Sequence, residues 1–345
     1  MIPENVEEDL LAERGVASVC AASKGADVGS AAAVRESLVA FKFGGSSLLG
    51  AERMRHAAGL VRPAAQLEVV VVVSAMKGVT DRLLGIAQTL GARKHERARL
   101  EAEALLRLHL DVLRDLALDP DEHDRVAREL TSLGRDLLHE VSASRNGVSP
   151  AVAAEFSDRL ASFGERFSAR LFAAALEDSG VPAVPVSSSE FVLTCDTFSD
   201  AKPHLEQTKE RGREVLLPLL AAGVVPVVTG FIGATPDGRI TTLGRNSSDF
   251  SGAIIAHVVD ADELVIWTDV DGIYTANPNE SAQARLLHDL SYEDAHALAL
   301  SGAKVLHPHV LPLAEETEMT VWVRNTFKPH VRGTRIGPAQ QEEVV

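Results

Sequence analysis

Hydrophobic positions along this chain fall into short uninterrupted runs and longer helical stripes. The first two runs are Leu38–Phe43, which stops at Gly44-Gly45, and residues 69–73, which are five consecutive valines. A run without polar alternation is typical of a strand that is buried on both faces, as in a parallel sheet covered by helices. Similar runs follow between helix-like segments, at residues 183–186, 224–229, 263–267 and 320–323. This alternation of strand and helix predicts an α/β fold with a mainly parallel sheet.

Residues 82–178 interrupt this alternation with three helical stripes. Apolar residues that recur three and four positions apart mark one face of an amphipathic helix. The stripes comprise Leu105, Leu108, Val112 and Leu116, then Val126, Leu130, Leu133, Leu137 and Val141, and finally Leu160, Phe163, Phe167, Leu171 and Ala174. We therefore expect a helical insertion at about residues 82–178, within the first part of the α/β fold.

The composition is that of a globular protein with excess acid. The 345 residues include 34 Lys and Arg against 49 Asp and Glu, which gives a formal net charge of −15. This charge disfavours binding to nucleic acid or to an anionic membrane. No apolar stretch approaches the ~18 residues of a membrane span, and the acidic N-terminus lacks the order of a signal peptide. We expect a soluble cytoplasmic protein in which residues 1–36, which lack periodicity, form a loosely ordered extension.

Several familiar signatures are absent from the sequence. Gly45 and Gly50 are spaced as in a P-loop, but Ala51-Glu52 follows where that motif has Lys and Ser or Thr. No G-x-G-x-x-G follows a strand, and neither G-x-S-x-G nor H-E-x-x-H occurs. With only Cys20 and Cys195, the chain also lacks a disulfide framework. These absences disfavour a dehydrogenase, a serine hydrolase and a metalloprotease.

Small residues, hydroxyls and basic side chains recur where the predicted strands end. Lys42 precedes Gly44-Gly45 and two serines, and Ser74 begins the turn after the valine run. Glycines let backbone N–H groups approach an anion, and ligands of open α/β sheets gather at the carboxyl ends of strands. Two later turns carry Arg245 and Lys304. The residues alone predict a binding site for a phosphate or a carboxylate.

Structural roles compete with this interpretation. Lys42 is equally consistent with an exposed lysine on a tight turn, and Thr80 or Asp81 with helix N-capping. Ser248 and Asp249 also lie where helix caps fall. The functional and structural interpretations differ in the burial and the partners that they predict for these side chains.

Taken in order, these segments resemble the motifs of aspartate kinases. They are residues 42–47, 74–81, 164–165, 230–233, 241–249, 267–278 and 302–308, followed by 323–327 and 333–334. The resemblance implies the amino-acid kinase fold, a three-layer αβα sandwich around a mainly parallel sheet, with the helical insertion in the N-terminal lobe. Residues 37–225 would form that lobe and bind the amino acid. Residues 226–338 would form a C-terminal lobe that binds ATP, and residues 339–345 would be a tail.

The resemblance also implies roles for particular residues. Lys42 would contact the transferring phosphoryl group, and Asp249 would organise the catalytic lysines. The implied aspartate-binding residues are Ser74, Thr80, Glu165, Phe231, Gly233, Arg245 and Ser248. The implied ATP-binding residues are Gly44, Gly45, Ser46, Thr268, Asp269, Tyr274 and Lys304. A solvated surface position is the alternative for Glu165.

The activity implied by the resemblance is phosphorylation of the β-carboxylate of L-aspartate by ATP, giving 4-phospho-L-aspartate. Mg²⁺ would be held mainly by the nucleotide phosphates rather than by a metal site of the protein, and the enzyme would be a homodimer. Two departures from the family pattern matter. Asn246-Ser247 stands where the family usually has Gly-Gly, and the chain ends at Val345, before the paired ACT domains of typical aspartokinases. We therefore expect no built-in feedback inhibition by lysine or threonine.

Other functions stay open at this point. An amino-acid kinase of the same fold that acts on another amino acid is consistent with the bulk that Asn246-Ser247 adds. A catalytically silent nucleotide-binding subunit is less consistent, because Lys42, Arg245, Asp249 and Lys304 are all present. A structural or nucleic-acid-binding protein is disfavoured by the negative charge.

Overall fold

The hydrophobic runs form the strands of one central sheet. The structure, a computed structural model, describes residues 37–338 apart from residues 66, 145–148, 150–151, 246, 277–280, 282 and 301–305. Its strands are β1 (Leu38–Phe43), β2 (Glu68–Val73), β3 (Ala183–Val186), β4 (Val225–Thr229), β5 (Ile232–Ala234), β6 (Ile240–Thr242), β7 (Glu263–Thr268), β8 (Ile273–Tyr274), β9 (Leu286–Leu287), β10 (Asp289–Ser291), β11 (Thr320–Asn325) and β12 (Thr334–Gly337). Eight of these described strands form one sheet, in the order β10-β12-β11-β7-β1-β2-β4-β3.

The sheet is mainly parallel, as the uninterrupted hydrophobic runs predict. β1 lies between β2 and β7 and is parallel to both, and the parallel pairing continues from β2 through β4 to β3 and from β7 to β11. β12 departs from this direction, because it pairs antiparallel to β11. The carboxyl ends of β1, β2, β4, β7 and β11 therefore meet at the same edge of the sheet, where ligands of such sheets bind.

Helices cover both faces of the sheet. They are α1 (Ala51–Val61), α2 (Val79–Gly91), α3 (His95–Leu116), α4 (Pro120–Ala143), α5 (Ala153–Asp178), α6 (Leu205–Ala221), α7 (Ser248–Val258), α8 (Tyr292–Leu300) and α9 (Val310–Glu316). Successive residues of a strand point to opposite faces. Phe43 of β1 therefore joins the buried cluster that contains Met54 of α1, whereas Ala40 joins the cluster that contains Ile254 of α7. The architecture is the expected three-layer αβα sandwich.

The helices α2 to α5 form the predicted helical insertion. All members of the three predicted stripes are buried except Leu108, which is half-buried. α4 begins at Pro120, because the carboxylate of Asp119 accepts hydrogen bonds from the backbone N–H groups of Asp121 and Glu122, both at 3.1 Å. The hydrophobic spacing therefore predicts these helices and the face that each one buries.

The predicted lobe boundary after residue 225 stays a prediction, because β4, which begins there, pairs with β2 and β3 in the same continuous sheet. The predicted extension at residues 1–36 and the predicted tail at residues 339–345 lie outside the described residues. Within the part of the chain that is described, no helix combines the length and the apolar character needed to cross a membrane.

Candidate active site

The turn after β1 lies at the carboxyl edge of the sheet and is held by its neighbours. The N–H of Gly44 donates to the carbonyl of Trp267 at the end of β7, at 3.2 Å. The carbonyl of Gly45 accepts from the N–H of Lys77 beyond β2, at 3.0 Å. The hydroxyls of Ser47 and Thr326 lie 2.7 Å apart and connect the turn to the end of β11. Three strand ends therefore determine the position of this glycine turn.

Gly45 is required by this close packing. A Cβ atom at this position would lie 2.5 Å from the carbonyl oxygen of Ala75, which is closer than van der Waals contact allows. At Gly44 the nearest side-chain atom to such a Cβ is the Lys42 ammonium, at 3.7 Å. The backbone of this turn thus lies next to a positive charge, which is the arrangement that binds a phosphate.

Lys42, which is buried, and Asp249, which is partly buried, form an ion pair at the end of β1. Lys42 is 5% exposed, and its Nζ lies 2.7 Å from Oδ1 of Asp249 in the first turn of α7. A Cβ at Gly252 would lie 3.1 Å from Cβ of Lys42, so this glycine lets α7 approach the lysine. The N-cap of α7 is Ser247, whose side chain makes no capping hydrogen bond. The alternatives of an exposed lysine and of a capping role for Asp249 are therefore wrong.

Glu165 lies on α5, beneath the turn that follows β2. It is 3% exposed, and its Oε1 accepts a hydrogen bond from the N–H of Ala75 at 3.0 Å. A Cβ at Gly164 would lie 2.7 Å from Cβ of Ala75, so glycine permits this contact between helix and turn. The alternative of a solvated surface glutamate is wrong.

Two polar atoms in this place lack partners. Oε2 of Glu165 and Oγ of Ser74 are both buried, and neither has a hydrogen-bond partner among the described residues. Burial raises the pKa of Glu165 to about 8, although the hydrogen bond from Ala75 acts in the opposite direction. Buried polar groups are nearly always paired, so these two atoms are candidates for contact with a polar ligand.

Arg245 is exposed and reaches the start of α2. Its Nη2 lies 3.6 Å from Oδ1 of Asp81, and both side chains are about three-quarters exposed. The N-cap of α2 is Gly78, with φ of 86°, so Thr80 and Asp81 lie inside the first helical turn and are not N-caps. An ion pair between two exposed groups contributes little stability. The guanidinium is therefore free to exchange this partner for a ligand.

The remaining residues of the implied aspartate site lie around the hairpin of β5 and β6 and the start of α7. Phe231 has a φ of 66°, and its N–H donates to Oγ of Ser251 at 2.7 Å. Gly233 is buried in β5, where a Cβ would lie 2.7 Å from Cγ2 of Thr194, so its contacts are those of packing. Ser248 is the first residue of α7 and is partly buried.

The implied ATP residues follow β7 on the other side of β1. Thr268 ends β7, Asp269 follows it, and Tyr274 lies in β8. Between them, the carboxylate of Asp271 accepts hydrogen bonds from Asn325 and, at 3.0 Å, from Lys328. The Lys328 hydrogen bond is the largest of the effects that lower the pKa of Asp271. Lys304 lies outside the described residues.

Asp158 lies on the same polar face of α5 as Glu165, as the sequence indicates, but its supporting role was not predicted. Its carboxylate is 2% exposed and accepts four hydrogen bonds, from the N–H and hydroxyl groups of Ser199 and Thr242, at 2.8 to 3.1 Å. Asp158 thus fastens α5, which carries Glu165, to β6, which leads to Arg245. A position seven residues before Glu165 on the same helix was the available signal.

The contacts therefore join most of the implied site but not all of it. Lys42, Asp249 and the Gly44-Gly45 turn are in direct contact, and Lys77 and Ala75 connect that turn to Glu165. Arg245 is tied to the same edge through Asp81. Among the residues described, no group of three or more His, Cys, Asp or Glu side chains is placed to hold a metal ion.

The fold is that of an α/β protein. Its ion pair holds a lysine beside a glycine turn, which is an arrangement suited to binding an anion. The chain belongs to the amino acid kinase family, whose model matches residues 37–325. It is 32% identical over 299 residues to lysine-sensitive aspartokinase 3 of Escherichia coli (strain K12). The aligned region covers 87% of this chain and 64% of that protein. It is also 32% identical over 302 residues to chloroplastic aspartokinase 1 of Arabidopsis thaliana, with 86% and 51% covered.

Solved structures give the same result. The crystal structure of E. coli aspartokinase III in complex with aspartate and ADP matches with a TM-score of 0.79 and 30% identity, over 88% of this chain and 65% of that one. The resemblance to aspartokinases and the αβα fold are thus confirmed. The chain spans less than two thirds of the length of these relatives, at 64% of the E. coli protein.

Proposed function

We propose that this chain is an aspartate kinase, which transfers the γ-phosphoryl group of ATP to the β-carboxylate of L-aspartate and forms 4-phospho-L-aspartate. The observation that carries the proposal is the ion pair of buried Lys42 and partly buried Asp249 beside the Gly44-Gly45 turn. The E. coli relative of known structure was solved with aspartate and ADP, which supports the choice of substrate and nucleotide.

The reaction needs charge neutralisation more than it needs a base. The β-carboxylate has a reference pKa of about 3.9 and is ionised at neutral pH, so it attacks without losing a proton. The obstacle is the repulsion between this carboxylate and the polyphosphate. Lys42 offsets that repulsion at the transferring group, and Asp249 holds the lysine in place so that its charge need not be reoriented during the reaction.

The amino acid would be oriented through its two α-substituents. Oε2 of Glu165 and Oγ of Ser74, which find no partner in the described part of the chain, would accept from the α-ammonium group. Arg245 would release Asp81 and bind the α-carboxylate in the two-pronged manner of a guanidinium. The aspartate site is completed, in this proposal, by Thr80, Phe231, Gly233 and Ser248.

The nucleotide would lie across the ends of β1 and β7. Backbone N–H groups at Gly44, Gly45 and Ser46 would contact phosphate oxygens. Thr268, Asp269, Tyr274 and Lys304 would line the rest of the nucleotide site. This placement uses the strand ends that the Gly44–Trp267 hydrogen bond already joins.

Mg²⁺ is expected to arrive with ATP. This ion keeps several waters and binds through substrate phosphates and one or two carboxylates, so it does not require a cluster of protein ligands. Asp249 in the first turn of α7 and Asp269 directly after β7 would supply the carboxylates for such an ion. When bound, Mg²⁺ would neutralise part of the phosphate charge.

A coupled ADP-release assay over the twenty protein amino acids, with ATP and Mg²⁺, tests the proposal. We expect turnover with aspartate and its loss in Lys42→Met, because the charge next to the transferring group is removed. Lys202→Met is the matched control, since Lys202 is exposed and pairs only with exposed Asp200 among the described residues. If no amino acid supports ADP release, the proposal is refuted, and the chain is instead a catalytically silent nucleotide-binding subunit.

One observation favours a second candidate, an amino-acid kinase with a different substrate. Ser247 is fully buried next to Arg245, and its Oγ has no hydrogen-bond partner among the described residues. A hydroxyl in this place adds a polar group to the pocket where the family usually has glycine. Turnover with another amino acid that exceeds turnover with aspartate in the same panel would establish this alternative.

Three further expectations accompany the proposal. Adding lysine and threonine to the assay tests whether the activity of these 345 residues is insensitive to both. Sedimentation of the purified chain tests the expected homodimer. Fractionation of the source cells tests the expected cytoplasmic location.

A further inference from the structure

A second polar cavity lies between α4, α5 and the carboxyl ends of β3 and β4. We call it the α4–α5 cavity. Its volume is about 570 Å³, and its walls include Ser132 of α4, Arg166 and Arg170 of α5, and Ser187 and Glu190 beyond β3. Sites for small molecules typically have about 300 to 1,000 Å³. None of the described residues implied in aspartate or ATP binding lines this cavity, so it is distinct from the candidate active site.

Arg166 makes no close ion pair in this cavity among the described residues. No carboxylate lies within ion-pair distance of its guanidinium among the described residues, and the group lies over the ring of Phe163, with 4.8 Å from Cζ to the ring centre. Burial and the charge of Arg170 lower the pKa of Arg166, whereas the negative charge of Asp136 in the cavity wall acts in the opposite direction. A partly buried guanidinium without a counter-ion is costly unless an anion pairs with it.

Arg170 follows one turn later on the same face of α5. Its Nη1 donates to the carbonyl of Arg166 at 2.9 Å, and its Nε lies 3.5 Å from a carboxylate oxygen of Glu129 but has no hydrogen-bond partner among the described residues. Two adjacent guanidinium groups with unused donors therefore border the cavity. Such a pair matches the two oxygens of a carboxylate.

Carboxylates occupy other parts of the wall. Glu129 and Asp136 of α4 and Glu190 beyond β3 all line the cavity. Burial is the main cause that raises the pKa of Glu190. The three acids would repel a phosphate dianion, whereas a molecule that bears one carboxylate and one ammonium group matches both kinds of wall. Charged groups interact strongly in such a partly desolvated space.

We propose that the α4–α5 cavity binds a free α-amino acid, with the carboxylate of the amino acid on Arg166 and Arg170 and its ammonium group facing the acids of the wall. The serine hydroxyls add neutral donors and acceptors, among them Ser187, whose Oγ lies 2.8 Å from Oγ of Ser189. This site does not depend on which amino acid the chain phosphorylates.

Calorimetric titration of the purified chain with each of the twenty protein amino acids, without ATP, tests the proposal. We expect at least one of them to bind with a Kd of about 1 mM or tighter. Arg166→Gln should weaken that binding by about tenfold or more, because charged hydrogen bonds are lost. Arg245→Ala should leave it unchanged, since Arg245 belongs to the candidate active site. Arg128→Gln is the control, because Arg128 is exposed on α4 and does not line the cavity.

A second variant guards against a general defect in Arg166→Gln. Ser132 is exposed at the wall of the cavity, so Ser132→Phe should block it without disturbing the core. Both variants should retain ADP release with the phosphoryl acceptor, which separates this site from the proposed function. The proposal is overturned if no amino acid binds, if binding survives in both variants, or if acetate or inorganic phosphate alone binds equally well.

Discussion

The pKa of Glu165 leads to a prediction about stability and pH. Burial raises this pKa from 4.5 to about 8, so the folded protein holds the proton at a pH where the unfolded chain has lost it. At about 1.36 kcal/mol for each tenfold change in the acid constant, the difference amounts to roughly 5 kcal/mol. The sign follows from linkage. The contribution of Glu165 to the free energy of unfolding is fully present below pH 4.5 and is lost as the pH rises towards 8.

Glu165→Gln isolates this contribution, because glutamine resembles the protonated acid and still accepts from the N–H of Ala75. Between pH 6 and pH 8 the wild-type protein should lose up to about 2.5 kcal/mol more than the variant. For a chain of this size this corresponds to about 5 °C in Tm. Thermal unfolding of the ligand-free protein at several pH values measures the difference. Glu52→Gln is the control, since Glu52 is exposed.

Binding of aspartate should depend on the same proton. If the α-ammonium group contacts ionised Glu165, aspartate must displace the proton, and its apparent affinity should rise by up to about tenfold for each pH unit from 6 to 8. Calorimetry in two buffers of different ionisation enthalpy detects the released proton. Parallel unfolding curves for wild type and Glu165→Gln, together with binding that is independent of pH, would refute the reasoning.

Three other substitutions test the site. Asp249→Asn should lower kcat by about a hundredfold and also lower stability, because buried Lys42 loses its charged partner; an unchanged kcat would argue against a positioning role. Asp158→Asn should raise the aspartate KM about tenfold and leave the ATP KM unchanged, because a single amide oxygen cannot accept all four hydrogen bonds that the carboxylate accepts. Asp178→Asn is the control, since Asp178 is exposed on the same helix. Gly45→Ala should lower stability by about 1 to 3 kcal/mol and reduce activity, whereas Gly59→Ala, with open space around it, should be neutral or stabilising in denaturant unfolding.

The long elements of the fold follow from the hydrophobic pattern. The valine run at residues 69–73 and the stripes of α3, α4 and α5 carry enough apolar residues to determine both the element and its buried face. The short strands were not predicted. β8 and β9 have two residues each, and β10 has three, so no periodicity can be read from them. These strands exist because neighbouring backbone groups complete their hydrogen bonds, which is a tertiary effect.

The glycine turn of the candidate site follows more directly from the sequence than the residues that support it. Lys42 and the glycines lie together in the sequence, so their proximity needs no tertiary information. The partner of Lys42 is separated from it by 207 positions, and the residues alone gave Asp249 a capping role as the main alternative. Whether a carboxylate caps a helix or pairs with a lysine depends on what the fold brings to it.

The helix α5 shows why an amphipathic pattern underestimates polar function. Its Phe163 and Phe167 mark one apolar face and leave Glu165 on the opposite, polar face, but the helix is buried over most of its circumference. Each polar residue that it carries therefore needs a partner. Among the described residues, Asp158 pairs with β6, Glu165 accepts one N–H and keeps one oxygen without a partner, and Arg166 borders the α4–α5 cavity without a close ion pair.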